Sequence, residues 1–230
     1  RFSNSGTEAV MAALRLARGY TGKDNYVTFE GSYHGLFDAA MWTADPDSMK
    51  DQSKDPVLVA YGEGIPKLVR QLFWQVPYND ASRLEDVLKA HHDTIAAVLI
   101  EPILGNCCGI PSAPAFLRAV RELCTKYGVL MIVDEVKTGF RVAKGGVQSL
   151  HGVTPDITTF AKAMANGYPI AAVAGRIVDT VAVRLEAPGF TTMTFLVHVW
   201  QPVFQLTSLT TAGTTLAADD PFYVSIGTPQ

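Results

Sequence analysis

Two runs of uninterrupted apolar residues, 95–100 and 129–133, limit the folds open to this chain more than any other feature. A strand with one face in water alternates apolar and polar residues, whereas these runs are apolar throughout, so both faces of each strand are predicted to be buried. The runs lead into acidic residues, Glu101 and Asp134. The sequence therefore predicts an α/β domain with a largely parallel sheet, whose acidic residues lie at the carboxyl edge where such folds bind ligands.

Further helices and strands are predicted from the spacing of apolar residues and from the positions of Gly and Pro. Apolar residues at helical spacing predict one helix after the turn at residues 5–7, ending at Gly19, and a second helix ending at Gly128. Residues 26–30, 156–160 and 170–174 predict strands. The segment 31–66 is rich in Gly and Pro, which indicates many loops, and it is too irregular for helices or strands to be assigned in detail.

Charge and hydropathy exclude some functions. The net charge is −3 and the isoelectric point is about 5.9, which gives no electrostatic reason to expect nucleic-acid or membrane partners. The longest apolar runs are far shorter than the roughly 20 residues that a spanning helix needs. Small-molecule chemistry is the function class that remains.

The number and spacing of the cysteines indicate the kind of cellular compartment in which the protein works. Cys107, Cys108 and Cys124 form no CxxC pair and lack the spacing of a zinc site. We expect no metal site and three buried free thiols. An odd number of thiols fits a reducing compartment, and we expect a cytoplasmic location.

Asp134 and Lys162 each follow a predicted strand, and a third feature, residues 4–9, opens a helix with small, hydrogen-bonding side chains. Alone, Asp134 could be a turn residue and Lys162 a surface charge. The helix start could be an anion site or an ordinary N-cap formed by Ser5 or Thr7. The three features gain meaning only together.

Five motifs occur in a fixed order, and together they resemble the class III pyridoxal-phosphate aminotransferases over roughly residues 1–185. They are Ser5-Gly6-Thr7-Glu8-Ala9, Gly31-Ser32-Tyr33-His34-Gly35, Glu101-Pro102-Ile103, Asp134-Glu135-Val136-Lys137-Thr138-Gly139-Phe140-Arg141 and Lys162. Several ordered motifs are much less probable by chance than any one of them.

The resemblance implies the large domain of a type I pyridoxal-phosphate-dependent transferase, with a mostly parallel sheet flanked by helices. It also implies that the chain holds this fold incompletely, without the family's N-terminal segment. We expect the full-length protein to be a homodimer. The expected cofactor is pyridoxal 5'-phosphate.

The resemblance also assigns cofactor contacts. Gly6 and Thr7 are expected to present backbone N–H groups to the cofactor phosphate, with a hydroxyl group from Ser5 or Thr7. Tyr33 is expected to stack on one face of the pyridine ring, and Val136 to pack on the other.

Catalysis is expected to depend on Asp134 and Lys162. Asp134 pairs with the pyridinium nitrogen in the family, and Lys162 matches the lysine that carries the cofactor as a Schiff base and moves the proton. Asn106 resembles the glutamate-1-semialdehyde aminomutase branch, where it donates to the ring hydroxyl oxygen. The resemblance leaves open whether His34 contacts the cofactor or holds its loop, and whether Glu135 orients Arg141 or caps a turn.

The function implied is transfer of an amino group between an amino acid or amine and an oxo-acid, or within one molecule as an aminomutase. Two alternatives share the motifs: a decarboxylase or racemase with the same cofactor, and a catalytically inactive fragment. The cofactor motifs do not choose between them, because substrate contacts select the bond that breaks.

The end of the chain differs in composition. Residues 1–189 are predicted to form the cofactor-binding domain, whereas residues 190–230 form an atypical tail that does not match the family's small domain. The tail has no Lys, Arg or Glu, and only Asp219 and Asp220 carry side-chain charge. Because native surfaces mix both signs of charge, we expect this tail to reflect a truncation or a shifted reading frame.

Overall fold

The computed structural model describes residues 1–48 and 57–175, and the backbone of the strands Asp179–Leu185 and Met193–Val199. The chain divides into two compact units, Arg1–Gly175 and Arg176–Gln230. All the elements that bear on the site belong to the first unit.

The first unit alternates strands and helices. Its helices are α1 Gly6–Thr21, α2 Ala81–His91, α3 Pro114–Tyr127 and α4 Gly146–Leu150. Its strands are β1 Phe2–Ser3, β2 Asn25–Phe29, β3 Trp42–Ala44, β4 Leu58–Ala60, β5 Phe73–Val76, β6 Ile95–Ile100, β7 Ile103–Leu104, β8 Ile110–Pro111, β9 Leu130–Asp134, β10 Ile157–Phe160 and β11 Ala171–Gly175.

Seven strands form one sheet in the order β1-β11-β10-β9-β6-β2-β5. The five strands from β10 to β5 are parallel, and β11 is antiparallel to both of its neighbours. The prediction of a mostly parallel sheet flanked by helices is confirmed. From β2 the chain goes outward to β5 and then returns to β6 on the other side of β2. Such a reversal of strand order opens a crevice at the carboxyl ends of the strands.

Both faces of the central strands are buried, as the apolar runs predict. Along β6, Val98 and Ile100 join the cluster that includes Leu84 and Leu88 of α2. Leu99, which points to the opposite face, is also 0% exposed. The predicted strands are present, and each bound matches the prediction or differs from it by one residue. The strand predicted at 129–133 extends to Asp134 because that residue still pairs with Thr159 of β10.

Helix α1 begins and ends through its caps. Ser5 is the N-cap, and Gly22, with φ of 67°, is the C-cap whose N–H donates to Arg18 O at 2.8 Å. The prediction that this helix ends at Gly19 is wrong. Gly19 stays helical because one exposed glycine costs only about 1 kcal/mol in a helix, whereas the left-handed conformation of Gly22 stops it.

Neither β5 nor α2 is predicted from the sequence. Helix α2 is capped by Asp80, whose side chain accepts from Arg83 N, but buries only Leu84 and Leu88 along its 11 residues. Two apolar positions give a weak helical period. Strand β5 lies at the edge of the sheet and has four residues, too few for periodicity to identify it.

The thiols are free but only one is buried. Cys124 is buried in α3, Cys107 is half-buried, and Cys108 is exposed. The expectation of three buried thiols is therefore wrong for the pair between β7 and β8. Cys108 has φ of 55°, a turn conformation that directs it outward from the hairpin.

In the second unit, strand β12 Asp179–Leu185 pairs antiparallel with β13 Met193–Val199. The predicted tail 190–230 otherwise lies outside the described residues. Within the described ranges, no helix is long and apolar enough to cross a membrane.

Candidate active site

The carboxyl ends of four adjacent parallel strands, β2, β6, β9 and β10, converge at the crevice. Each strand is followed by one of the motifs identified in the sequence. Tyr33 and His34 follow β2, Glu101 follows β6, Val136 follows β9 and Lys162 follows β10. The fold thus brings together segments that are distant in the chain.

Asp134, the last residue of β9, has the most constrained side chain of this edge. Its side chain is 4% exposed. Oδ1 accepts from Thr159 Oγ1 at 2.9 Å and from Val136 N at 3.1 Å, and Oδ2 contacts His34 Nδ1 at 2.8 Å. Three donors on one carboxylate fix its position and leave acceptor capacity on Oδ2.

His34 holds this carboxylate from the neighbouring loop. Because a carboxylate oxygen only accepts, His34 Nδ1 carries the proton of this bond. The Nε2 atom is buried and has no hydrogen-bond partner in the described part of the chain. Of the two roles left open for His34, the structure shows a hydrogen bond that ties the loop after β2 to Asp134.

Glu101 connects two loops at the same edge. Its Oε1 accepts from Tyr33 N at 2.7 Å, and its Oε2 accepts from Gly105 N at 3.3 Å. Burial raises the pKa of this carboxyl group, partly offset by the charge of nearby His34. Glu101 thereby anchors the loops after β2 and after β6 to one buried side chain.

The N-terminus of α1 lies beside this edge. Ser5 Oγ accepts from Glu8 N at 3.2 Å, so the hydroxyl group of Ser5 is the N-cap. The N–H groups of Gly6 and Thr7 have no acceptor within the described residues. Free N–H groups and the helix dipole make such a terminus favourable for an anion.

Close packing fixes α1 against the strand ends. A Cβ atom on Gly6 would lie 2.9 Å from Val136 Cγ1, so only glycine fits there. Val136 also packs with Ala9 and Ala161. On the other side, Thr7 Oγ1 accepts from Leu36 N at 3.3 Å, in the loop that carries Tyr33. The N-terminus of α1 is therefore held between the loops after β2 and β9.

Strand β10 ends at Phe160, and Lys162 follows it after one residue, Ala161. Its φ is 48°, a left-handed conformation that is strained for a residue with a side chain. Ala165 N and Asn166 N both donate to Lys162 O, at 3.0 and 3.1 Å, which holds the turn. Lys162 is exposed, and its amino group has no hydrogen-bond or ion-pair partner among the described residues.

Tyr33 and Asn106 meet at a residue that the sequence analysis did not single out, Lys137. Lys137 Nζ donates to Asn106 Oδ1 and lies 5.8 Å from the centroid of the Tyr33 ring. Tyr33 is half-buried, and Asn106 is exposed.

Glu135 acts away from the crevice. It is 0% exposed, and its carboxylate accepts from Thr138 Oγ1 and from Gln148 N. Of the two roles considered for Glu135, the structure shows the cap of a turn, at the start of α4. A Cβ atom on Gly146 would collide with this carboxylate, so the arrangement requires glycine at that position.

Three residues at this edge were not assigned a site role from the sequence: Glu101, Thr159 and Lys137. Glu101 had a usable signal, since it ends a buried strand before a proline. Thr159 is an unremarkable strand residue, and only the pairing of β9 with β10 brings it to Asp134. Among the described residues no group of three His, Cys, Asp or Glu side chains is placed to hold a metal ion.

Comparison with known proteins gives a consistent result. The family model described as aminotransferase class-III matches residues 1–210. Glutamate-1-semialdehyde 2,1-aminomutase from Pelodictyon phaeoclathratiforme is 45% identical over 76% of this chain and 39% of its own length. This chain thus spans about two fifths of the length of the curated relatives it matches.

Solved structures agree. An omega-transaminase from Sphaerobacter thermophilus is 40% identical, with a TM-score of 0.69 over 76% of this chain and 40% of its own. A transaminase solved with PLP bound is 38% identical, with a TM-score of 0.67 and the same two coverages.

Proposed function

This chain belongs to the class III aminotransferase family, and on that premise we propose that it is the cofactor-binding part of a pyridoxal-phosphate-dependent aminotransferase or aminomutase. The reaction moves an amino group between an amino acid or amine and an oxo-acid, or between two carbons of one molecule. The observation that carries this proposal is Asp134, a buried carboxylate held by three donors at the crevice between converging strand ends.

The residues present fit pyridoxal 5'-phosphate. The free N–H groups of Gly6 and Thr7 at the start of a 16-residue helix suit its phosphate, and the hydroxyl groups of Ser5 and Thr7 lie at the same helix start. Asp134 Oδ2 has a lone pair left for the ring nitrogen. Tyr33 and Val136 offer an aromatic and an apolar surface for the two ring faces.

The chain's own groups then have distinct tasks. Bound pyridoxal 5'-phosphate supplies an electron sink for the α-carbon of the substrate. Asp134 would pair with the ring nitrogen and favour its protonated form, and His34 and Thr159 keep Asp134 in place. Lys162 Nζ, free of other partners in the described structure, would hold the cofactor and would move the proton at the substrate α-carbon.

Asn106 bears on the type of reaction. An asparagine here, rather than a carboxylate, leaves no negative charge on this loop, and the amide can donate to a ring hydroxyl oxygen. The relative named as a glutamate-1-semialdehyde 2,1-aminomutase supports the aminomutase arm, and the omega-transaminase structure supports transfer between molecules. Product analysis with glutamate-1-semialdehyde and with several amino donors separates the two arms, and also detects loss of CO₂ or racemisation.

The decisive test is cofactor attachment. The purified chain, titrated with pyridoxal 5'-phosphate, is expected to gain a visible absorption band that Lys162→Ala removes. Lys144→Ala, which alters another exposed lysine of the same unit, is expected to retain the band. A band that survives Lys162→Ala, or no band in the unaltered chain, would contradict the proposal.

We also propose the setting in which the protein works. Its partners are small molecules rather than nucleic acid or membrane, in line with a net charge of −3. The free thiols support a cytoplasmic location. Exposed apolar residues, Phe2 at 75% and Tyr168 at 76%, support a homodimer of the full-length protein, which sedimentation equilibrium tests.

The domain organisation stays a proposal as well. We propose that residues 1–189 form the cofactor-binding domain and that residues 190–230 form an atypical tail produced by a truncation or a shifted reading frame. Sequencing of the parent DNA in all three frames beyond codon 189 tests the tail. Recovery of a charged, helical continuation in another frame supports a frame shift, and an unbroken frame with the same residues refutes it.

A further inference from the structure

Lys137 lies among the residues of the crevice without a role in the function proposed above. It follows Val136 in the loop after β9. Whereas Val136 packs with Ala9 and Ala161 toward α1, Lys137 reaches the other way, to the loops that follow β6 and β2. Its side chain thus joins three of the loops that form the site.

The stem of Lys137 is held as well as its amino group. Lys137 crosses the backbone of Gly105 so closely that a Cβ atom on Gly105 would collide with the lysine stem. Its Nζ donates to Asn106 Oδ1 and lies 5.8 Å from the Tyr33 ring centroid, within the range of a cation–π contact. Lys137 is half-buried. A lysine side chain that extended into solvent would have none of these contacts.

The contact with Lys137 decides which way the Asn106 amide faces. An asparagine side chain has an oxygen that accepts and a nitrogen that donates, and it can rotate by half a turn to exchange them. A lysine ammonium group only donates, so it selects the oxygen. The NH₂ group of Asn106 is then the end left for a ligand, and Asn106 can act only as a donor.

The charge of Lys137 is not neutralised locally. Within the described residues, no carboxylate lies within salt-bridge distance of its Nζ atom. The groups that contact its Nζ atom are the amide oxygen of Asn106 and the ring face of Tyr33, and both attract a cation without neutralising its charge. The positive field therefore extends into the part of the site that Asn106 faces.

We propose that Lys137 is a positioning residue of this site: it turns the Asn106 amide so that its NH₂ group meets a ligand oxygen, and its charge favours the anionic form of that oxygen. The ligand is an oxygen anion on an aromatic ring, such as the ring hydroxyl group of a bound pyridoxal. This inference rests on the function proposed above, which supplies that ligand, and it adds a residue that acts on the cofactor through Asn106.

Two measurements on the cofactor-bound chain test this role. A fixed cation nearby weakens the binding of a proton to the bound cofactor. Removal of the Lys137 charge is therefore expected to raise the pH at the midpoint of the titration of the visible absorption band. Lys137→Met and Lys137→Gln are expected to raise this midpoint by about one pH unit. Lys137→Arg keeps the charge and is expected to retain the wild-type midpoint, as is the matched control Lys144→Met.

The second measurement is the dissociation constant of pyridoxal 5'-phosphate. It reports how much the orientation of the Asn106 amide by Lys137 contributes to cofactor binding. Lys137→Met is expected to raise it about tenfold, whereas Lys137→Gln, which still donates to Asn106, raises it less. In an Asn106→Ala background, Lys137→Met is expected to raise the dissociation constant less than it does in the wild type, because the orienting effect is lost with Asn106 and only the effect of the charge remains. Additive effects of the two substitutions would overturn the claim that Lys137 acts through Asn106.

The outcomes separate this inference from the function on which it rests. An absorption band in the unaltered chain that Lys162→Ala removes, with the same midpoint in Lys137→Met, overturns only the role of Lys137. Absence of the band in the unaltered chain overturns both. A raised midpoint in Lys137→Met and Lys137→Gln but not in Lys137→Arg or Lys144→Met supports the inference, since a general loss of packing would not follow charge.

Discussion

At the scale of single residues, the site depends on buried carboxylates whose neighbours are fixed by the fold. Asp134 and Glu101 are 4% and 2% exposed. Asp134 is held by donors from its own strand end, from β10 and from the loop after β2. Glu101 instead holds two backbone N–H groups of loops. One carboxylate is thus positioned by its surroundings, and the other positions them.

Glu101→Gln is expected to give a pH-dependent change in stability. Burial raises the pKa of Glu101 above its ordinary value of 4.5, so the folded chain keeps this proton at a pH at which the unfolded chain has lost it. The free energy of unfolding of the wild type therefore falls as the pH rises from about 4.5 through the folded pKa. The glutamine variant lacks this decline, although it loses one loop contact at a cost of about 1 kcal/mol.

Urea unfolding between pH 4 and pH 8 measures this effect. The wild type is expected to be the more stable protein at the acid end, and its advantage over Glu101→Gln is expected to shrink as the pH rises. Glu63→Gln, a change of an exposed glutamate, serves as the control. A difference between wild type and Glu101→Gln that is constant with pH would show that burial does not govern this carboxyl group.

Asp134 and Lys162 are selected as site residues by local sequence signals, but the contacts that hold Asp134 in place are not predicted from the sequence. Asp134 follows an apolar run, and Lys162 follows a predicted strand, so both carry a local signal. The contact between His34 and Asp134 joins residues 100 positions apart, and no local pattern encodes it. The N-cap at Ser5 is a local pattern, and the structure has it. Contacts between loops were beyond prediction because they depend on the order of strands in the sheet.

At the scale of elements, helix α1 offers a matched pair of glycines. Gly6 lies where a Cβ atom would approach Val136 Cγ1 to 2.9 Å, whereas a Cβ atom on Gly19, in the same helix, would meet no atom within 4 Å beyond its own stretch of helix. Substitutions at the two positions therefore separate the effect of close packing against Val136 from the effect of helix propensity.

Gly6→Ala and Gly19→Ala are expected to change stability in opposite directions. Gly6→Ala pushes α1 away from Val136 and is expected to cost about 1–3 kcal/mol of unfolding free energy. Gly19→Ala removes backbone freedom from the unfolded chain and is expected to add about 0.5–1 kcal/mol. Urea denaturation curves of both variants measure the two effects. If Gly6→Ala lost no stability, α1 would not be held against the strand ends as described.

The elements that sequence reasoning found are those with long, uniform patterns. Strand β6 is apolar at all six positions, and α1 has five buried positions at helical spacing. Helix α2 has only two buried residues, and β5 only four residues in total, so neither gives a clear period. Gly19 was mistaken for a C-cap because composition marks a glycine but not its φ angle, which decides where a helix ends.

At the scale of the whole molecule, all eight residues proposed to contact the cofactor lie in the unit Arg1–Gly175. Apart from Asp219 and Asp220, charged residues end in the sequence at Glu186, beyond the end of this unit at Gly175, and the predicted domain boundary at residue 189 stays a prediction. The order of its strands could not be predicted, because the apolar runs show that strands are buried and not which strands are neighbours.

Pyridoxal 5'-phosphate is expected to raise the thermal midpoint of this unit. At a concentration about 100 times its dissociation constant, a ligand adds about 2.7 kcal/mol to the folded state. For a domain of this size the midpoint is expected to rise by about 5–10 °C. Differential scanning calorimetry measures the rise, and Lys162→Ala is expected to reduce it. Equal gains from pyridoxal without the phosphate would contradict the role given to the start of α1.

The pairing of β1 with β11 has a consequence for the order in which the protein is made. Phe2 lies opposite Ala172, so this pair can form only after the roughly 170 residues between the two have been synthesised. Contacts between such distant residues form slowly, because a long loop must close first. The motifs of the crevice likewise emerge one after another, and Lys162 is the last of them. The nascent chain therefore acquires a complete crevice only near the end of this unit's synthesis, after a long period with its strand edges exposed.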